Sequence, residues 1–188
     1  MILLAVSGSI AAYKAVELLR LLLKAGQDVY VVMTEAATHF VGPLTFQAMS
    51  GHAVIMNTLD PQGWQMGHLD LPEKASAFVV APATAHTLSQ MAHGEAGDIV
   101  NAAILAMPRS PSGQLKAPVF IAPAMHEAMW VHPATQANVK ILKKFGYQLI
   151  GPERGALSRA GDVGHGRMAE PETIAAAVLK SLGKSSSK

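Results

Sequence analysis

Four short apolar runs, each closed by small or hydroxylated residues, set the strongest limit on how this chain folds. The first, ILLAVSG from Ile2 to Gly8, holds no polar residue before Ser7, which suits a parallel strand covered on both faces. From Ile10 to Lys24 the polar residues Lys14, Glu17, Arg20 and Lys24 recur at steps of three and four, leaving a wide apolar face for a helix to lay on a sheet, and Gly26 is a natural stop. DVYVVMT, Asp28 to Thr34, reads as the second strand. SAFVVAPA, Ser76 to Ala83, and APVFIAPA, Ala117 to Ala124, repeat the pattern, each ending in Ala-Pro-Ala and leading into a further helix.

A helix over roughly Pro133 to Phe145, a short strand YQLIG and a closing helix from near Pro171 continue the alternation, with Gly146 and Pro171 as boundary residues. Strands alternating with helices predict a doubly wound parallel sheet, an α/β Rossmann-like fold in one domain over 1–182. The segments Leu59 to His68 and Gly151 to Met168 read as loops, and GKSSSK, 183–188, as a flexible tail.

Half of the 188 residues are hydrophobic and 15% are charged, which sets disordered and coiled-coil classes aside. Fifteen Lys and Arg against 13 Asp and Glu leave a formal charge of +2, no basic field for a phosphate backbone, so no nucleic-acid partner is expected. The absence of cysteine excludes disulfides, thiolate metal sites and a thiol nucleophile, and leans cytoplasmic. The opening MILLAVSGSIAAYK lacks a charged n-region and turns too early for a signal peptide or membrane span, so no membrane association is expected. Eight histidines are the unusual feature, because imidazole serves as acid, base or ligand near neutral pH.

In AVSGSIAAYK a strand runs through Ser7, Gly8 and Ser9 into a helix, so backbone N–H groups and two hydroxyls are expected to face an anion. With Gly8 alone, the turn lacks the G-x-G-x-x-G of dinucleotide folds, and a mononucleotide phosphate fits better; a plain capped turn is the competing reading. Thr34 and PATAHT, Pro82 to Thr87, add hydroxyls at the same sheet edge, although Thr84 or Thr87 could simply cap the next helix. His68 stands in MGHLDL with Asp70 two residues on; a lone loop histidine is usually surface decoration, and the competing readings are a candidate base with an orienting acid or two ordinary solvated side chains. HEAMWVH fails as a zinc motif, since His126 and His132 are six apart rather than four, and no metal is expected. Gly183-Lys184-Ser185 lacks the glycine, strand and helix of a phosphate loop, and no G-x-S-x-G elbow occurs.

Taken together, SGSIAAYK, MTEAA, MGHLDL, APATAHT, PAMHEAMW and GDVGHGRM resemble, in order along the chain, the flavin-containing cysteine decarboxylases. These include phosphopantothenoylcysteine decarboxylases and the peptidyl-cysteine decarboxylases of lantibiotic biosynthesis. The resemblance implies FMN, with its phosphate at Gly8, Ser9 and Ile10. Further contacts would come from Thr34, from Pro82, Ala83, Thr84 and Thr87, and from Ala124 and Met125. It implies a homotrimer, or a dodecamer of trimers, with the flavin at a subunit interface. The substrate would be a small molecule or peptide ending in a cysteine-like group. The flavin would take a hydride from the carbon bearing sulfur, and the resulting thiocarbonyl would accept the electrons released as carbon dioxide leaves. His68 would be the base.

Two positions depart from the family pattern. His126 stands where the family's Pro-x-Met-Asn-x-x-Met-Trp motif has the asparagine that holds the substrate carboxylate, so His126 is expected to contact that carboxylate instead. Ala160 stands where phosphopantothenoylcysteine decarboxylases have a cysteine that helps reduce the enethiol, a step the lantibiotic-type members omit. His86 replaces a common asparagine or aspartate on the flavin side. The ligase domain that many bacterial pantothenate enzymes attach finds no counterpart in these residues, so a separate ligase is expected if the chain works in that pathway. A flavin prenyltransferase-like protein and a non-catalytic regulatory or flavin-carrying homologue are the alternative readings.

Overall fold

The computed structural model describes residues 1–57, 70–157 and 163–185. A five-stranded, wholly parallel sheet in the order β2-β1-β3-β4-β5 forms its centre, from β1 (Ile2–Val6), β2 (Val29–Met33), β3 (Ala77–Ala83), β4 (Val119–Pro123) and β5 (Gln148–Leu149). The chain moves outward from β1 to β2, then crosses back over β1 to build β3, β4 and β5, which is the doubly wound topology expected.

Side chains alternating along β1 explain why its sequence is apolar throughout. Ile2, Leu4 and Val6 enter one buried cluster, and Leu3 and Ala5 enter the other. The first cluster is completed by α1 (Ala12–Lys24), by α3 (Pro43–Ser50) through Phe46, and by α9 (Pro171–Ser185) through Ile174 and Val178. The second is completed by α5 (Ala85–His93), α6 (Ile99–Leu105) and α8 (Pro133–Lys144), through Leu88, Val100 and Leu142. Short helices α2 (Glu35–Thr38), α4 (Asp70–Lys74) and α7 (Glu127–Trp130) fill the connections. No helix among the described residues is long and apolar enough to cross a membrane.

Two sequence expectations need correction. Part of the presumed loop from Gly151 to Met168 is an antiparallel ribbon, β6 (Glu153–Ala156) with β7 (Val163–Arg167). Its strands are short, polar and rich in glycine, so they carry no apolar alternation to betray them. Helix α9 continues through Gly183 to Ser185, into the segment read as a loose tail.

Candidate functional site

The carboxyl ends of the parallel strands open on one cavity of about 1140 Å³. Its walls come from the turn after β1 (Gly8, Ser9, Ile10), the start of α2 (Thr34), the start of α5 (Thr84, His86, Thr87) and the segment after β4 (Ala124, Met125, His126). Four connections separated in sequence thus meet at the crevice where the order of the sheet reverses, the usual ligand position in such folds.

Each wall has a local cause. Thr34 caps α2, its Oγ1 accepting the Ala37 amide at 3.3 Å, and Thr84 caps α5, its Oγ1 accepting the Thr87 amide at 3.2 Å. The Thr84 and Thr87 hydroxyls lie 3.0 Å apart. Capping and cavity lining are therefore combined in the same threonine. Gly8 is needed for a close approach, since a Cβ there would lie 2.5 Å from the Cβ of Ala36. Helix α1 starts beside it; its N-cap residue Ala11 has no side chain to cap with, the Ser9 Oγ accepts the Ala11 amide at 3.2 Å, and the positive end of the helix dipole is turned to the cavity. A glycine turn running into the start of a thirteen-residue helix fits a phosphate.

The placement of other expected residues differs. The Ser7 hydroxyl does not face the anion turn: Ser7 is buried, and its Oγ donates to the Pro82 carbonyl at 2.8 Å and accepts the Thr84 amide at 3.1 Å. Pro82 and Ala83 are buried within the sheet and do not line the cavity, although the Pro82 carbonyl anchors Ser7. His68 and Ala160 lie outside the described residues. His126 and His132 both stand at helix starts. Each caps its own helix, α7 and α8, its Nδ1 accepting an amide two residues on, from Ala128 and Ala134, at 3.2 Å in both cases.

Several wall residues were not singled out from sequence. Lys14, read only as part of a polar stripe on α1, lines the cavity with Arg167 and Glu170. Its ammonium lies 3.0 Å from the Glu170 carboxylate, which also pairs with Arg167. Burial holds the Lys14 pKa below its usual value, and the nearby Arg167 guanidinium pushes it the same way, against smaller opposing effects of Tyr13, Glu153 and Glu172. The ion pair with Glu170 should favour the charged lysine, yet that carboxylate is shared with Arg167, so burial decides the direction. Asp98, which caps α6 through the Asn101 amide at 2.9 Å, also lines the cavity; an Asp three residues before Asn101 at a helix start was a readable signal. Ala156, Leu157 and Gly166 bring the β6–β7 ribbon into the wall.

Comparison with known proteins meets this geometry directly. A family model described as Flavoprotein matches residues 1–183. The chain belongs to the flavoprotein family. It is 47% identical over 176 residues, covering 92% of this chain and 93% of the relative, to a probable phosphopantothenoylcysteine decarboxylase of Streptococcus mutans. It is 45% identical over 174 residues to the coenzyme A biosynthesis bifunctional protein of Haemophilus influenzae, covering 92% of this chain but 41% of that longer protein.

Among solved structures, a variant PPC decarboxylase complexed with pantothenoylaminoethenethiol superposes with a TM-score of 0.81 at 30% identity, over 95% of this chain and 96% of that one. The FMN-dependent cysteine decarboxylase SpaF superposes with a TM-score of 0.75 at 31% identity, over 96% and 95%. These flavoprotein relatives are decarboxylases, that is, carbon–carbon lyases.

Proposed function

We propose that this flavoprotein is an FMN-dependent decarboxylase acting on a cysteine-like thiol carboxylic acid, a small molecule or the end of a peptide. The observation that carries the reading is the convergence of the turns at Gly8, Thr34, Thr84 and His126 on one cavity, in a chain 47% identical to a phosphopantothenoylcysteine decarboxylase relative.

FMN, when bound, would supply the hydride acceptor for oxidation at the carbon bearing sulfur. The turn of Gly8, Ser9 and Ile10 would hold its phosphate against the start of α1, with Thr34, Thr84, Thr87, Ala124 and Met125 shaping the rest of the pocket. Pro82 and Ala83 would act from behind the wall, by fixing where Thr84 begins α5. His126 would contact the substrate carboxylate and His68 would accept the proton. Loss of carbon dioxide then follows from the electron demand of the thiocarbonyl. We take the working assembly to be a homotrimer or a dodecamer of trimers, and its setting to be the cytoplasm.

The test is direct. Purified protein is expected to be yellow and to release FMN on denaturation. Incubation in air with cysteine-terminated peptides and with phosphopantothenoylcysteine is expected to yield carbon dioxide and a product lighter by the elements of carbon dioxide and two hydrogens. Bound FMN with no product from any such acid would overturn the decarboxylase assignment. A colourless protein that takes up no FMN would overturn the whole reading.

A further inference from the structure

Glu127 follows His126 and opens α7, and its carboxylate reaches across to β7. Its Oε1 accepts the backbone N–H of His165 on β7 at 2.8 Å. A Cβ at Gly164 would lie 2.6 Å from Glu127 Oε2, so the strand is bare where the carboxylate rests on it. Gly166 gives the same opening two residues along. Its carbonyl accepts the Met125 amide at 2.9 Å, and a side chain there would overlap the Met125 carbonyl oxygen. The alternation of Gly164 and Gly166 thus presents one naked face of β7 to the Met125–Glu127 turn. On its other side the ribbon is tied by Arg167, which lies across Gly155 and pairs with Glu170.

We propose that Glu127 is a positioning residue of the site: its carboxylate latches the β6–β7 ribbon to the His126 turn and so fixes the cavity wall formed by Ala156, Leu157 and Gly166. The functional consequence rests on the decarboxylase reading above; the latch does not. A charged acceptor makes a stronger bond to a backbone amide than a neutral one, and here the acceptor also lies in the first turn of α7, where negative charge is favoured. The latch orients a wall and contacts no reacting atom, so its loss should weaken substrate binding more than turnover.

The experiment compares full-length holoprotein with its Glu127→Ala and Glu127→Gln variants by amide hydrogen exchange and by steady-state kinetics on a cysteine-terminated peptide. In Glu127→Ala, exchange over 163–167 should rise about tenfold, as for loss of roughly 1.4 kcal/mol of local protection, while β1 to β4 and the flavin absorbance stay unchanged. KM should rise several-fold with kcat changing less. Glu127→Gln keeps an oxygen acceptor of the same length without its charge and should restore part of both. Unaltered exchange of the ribbon in Glu127→Ala, a fall in kcat with constant KM, or failure of glutamine to rescue would each overturn the proposal. If no thiol acid is turned over by the wild type, the decarboxylase reading fails while the exchange measurement still decides the latch.

Discussion

The Ser7 hydroxyl joins two strand ends by accepting the Thr84 amide at 3.1 Å while donating to the Pro82 carbonyl at 2.8 Å. The end of β1 is thereby fixed to the end of β3, and the start of α5 is placed at the cavity rim. Ser7→Ala leaves both groups without this partner at a site where Ser7 is 1% exposed. The expected cost is about 1–3 kcal/mol, read as a lower urea midpoint with an unchanged slope. FMN affinity should fall with it, because Thr84 shapes the pocket. A change under about 0.5 kcal/mol would show that this hydroxyl is an ordinary surface-like group.

Gly8→Ala tests the close approach at the turn proposed to hold the phosphate. The added methyl would meet Ala36 Cβ at 2.5 Å and the Ala36 carbonyl carbon at 3.0 Å, so β1 and α2 must separate. Overpacking of this kind costs about 1–3 kcal/mol. FMN per chain, measured by absorbance after desalting, should drop more steeply than the melting temperature, since the displaced backbone is the proposed phosphate cradle. Full flavin content in the variant would remove Gly8 from that role.

The strands were legible for a physical reason. A strand covered on both faces cannot afford a polar position, so Ile2–Val6 and Val119–Pro123 announce themselves as apolar runs. The cavity position followed from topology, because ligands collect where strand order reverses. What stayed hidden had no pattern of its own. Val163–Arg167 is glycine-rich because one face lies bare against the Met125–Glu127 turn, and in Glu153–Ala156 Gly155 leaves room for the Arg167 side chain. The inward turn of Ser7 and the Lys14–Glu170 contact, 156 residues apart in sequence, depend on tertiary neighbours that periodicity cannot reveal, whereas the capping by His126 and His132 is local but uses a residue type outside the usual Ser, Thr, Asp and Asn caps. Helix α3 was readable and overlooked: Pro43 at its first turn and Gly51 at φ 75° after its last are ordinary start and stop signals.

Lys14 makes an alkaline prediction whose sign is fixed by the direction of its shift. Its folded-state pKa lies below the usual 10.5, so the native protein releases this proton before the unfolded chain does. Between the lowered value and 10.5 the unfolded state binds more protons, and stability gains as pH rises. Below the lowered value both states hold the proton, and the full cost of burying the charge is present. The unfolding free energy of wild type minus that of Lys14→Met should therefore be level in the neutral range and climb as pH approaches 10.5. A difference that falls with pH would mean that the Glu170 ion pair outweighs burial.

His126 separates helix capping from chemistry, and two substitutions exploit this. Asparagine is among the best N-cap residues, so His126→Asn should keep the α7 cap and change stability by no more than about 0.5 kcal/mol. His126→Ala should lose about 0.5–2 kcal/mol. The cap uses Nδ1 as an acceptor from Ala128, which requires that nitrogen to be unprotonated. Turnover is read separately from stability. His126→Asn is expected to gain activity on phosphopantothenoylcysteine over the wild type, because the amide offers two N–H donors where neutral imidazole offers one. His126→Ala should lose activity on whatever thiol acid the wild type accepts. An asparagine variant that folds, binds FMN and leaves every substrate untouched, in a protein whose wild type is equally inert, would instead mark the chain as a flavin carrier or regulatory subunit.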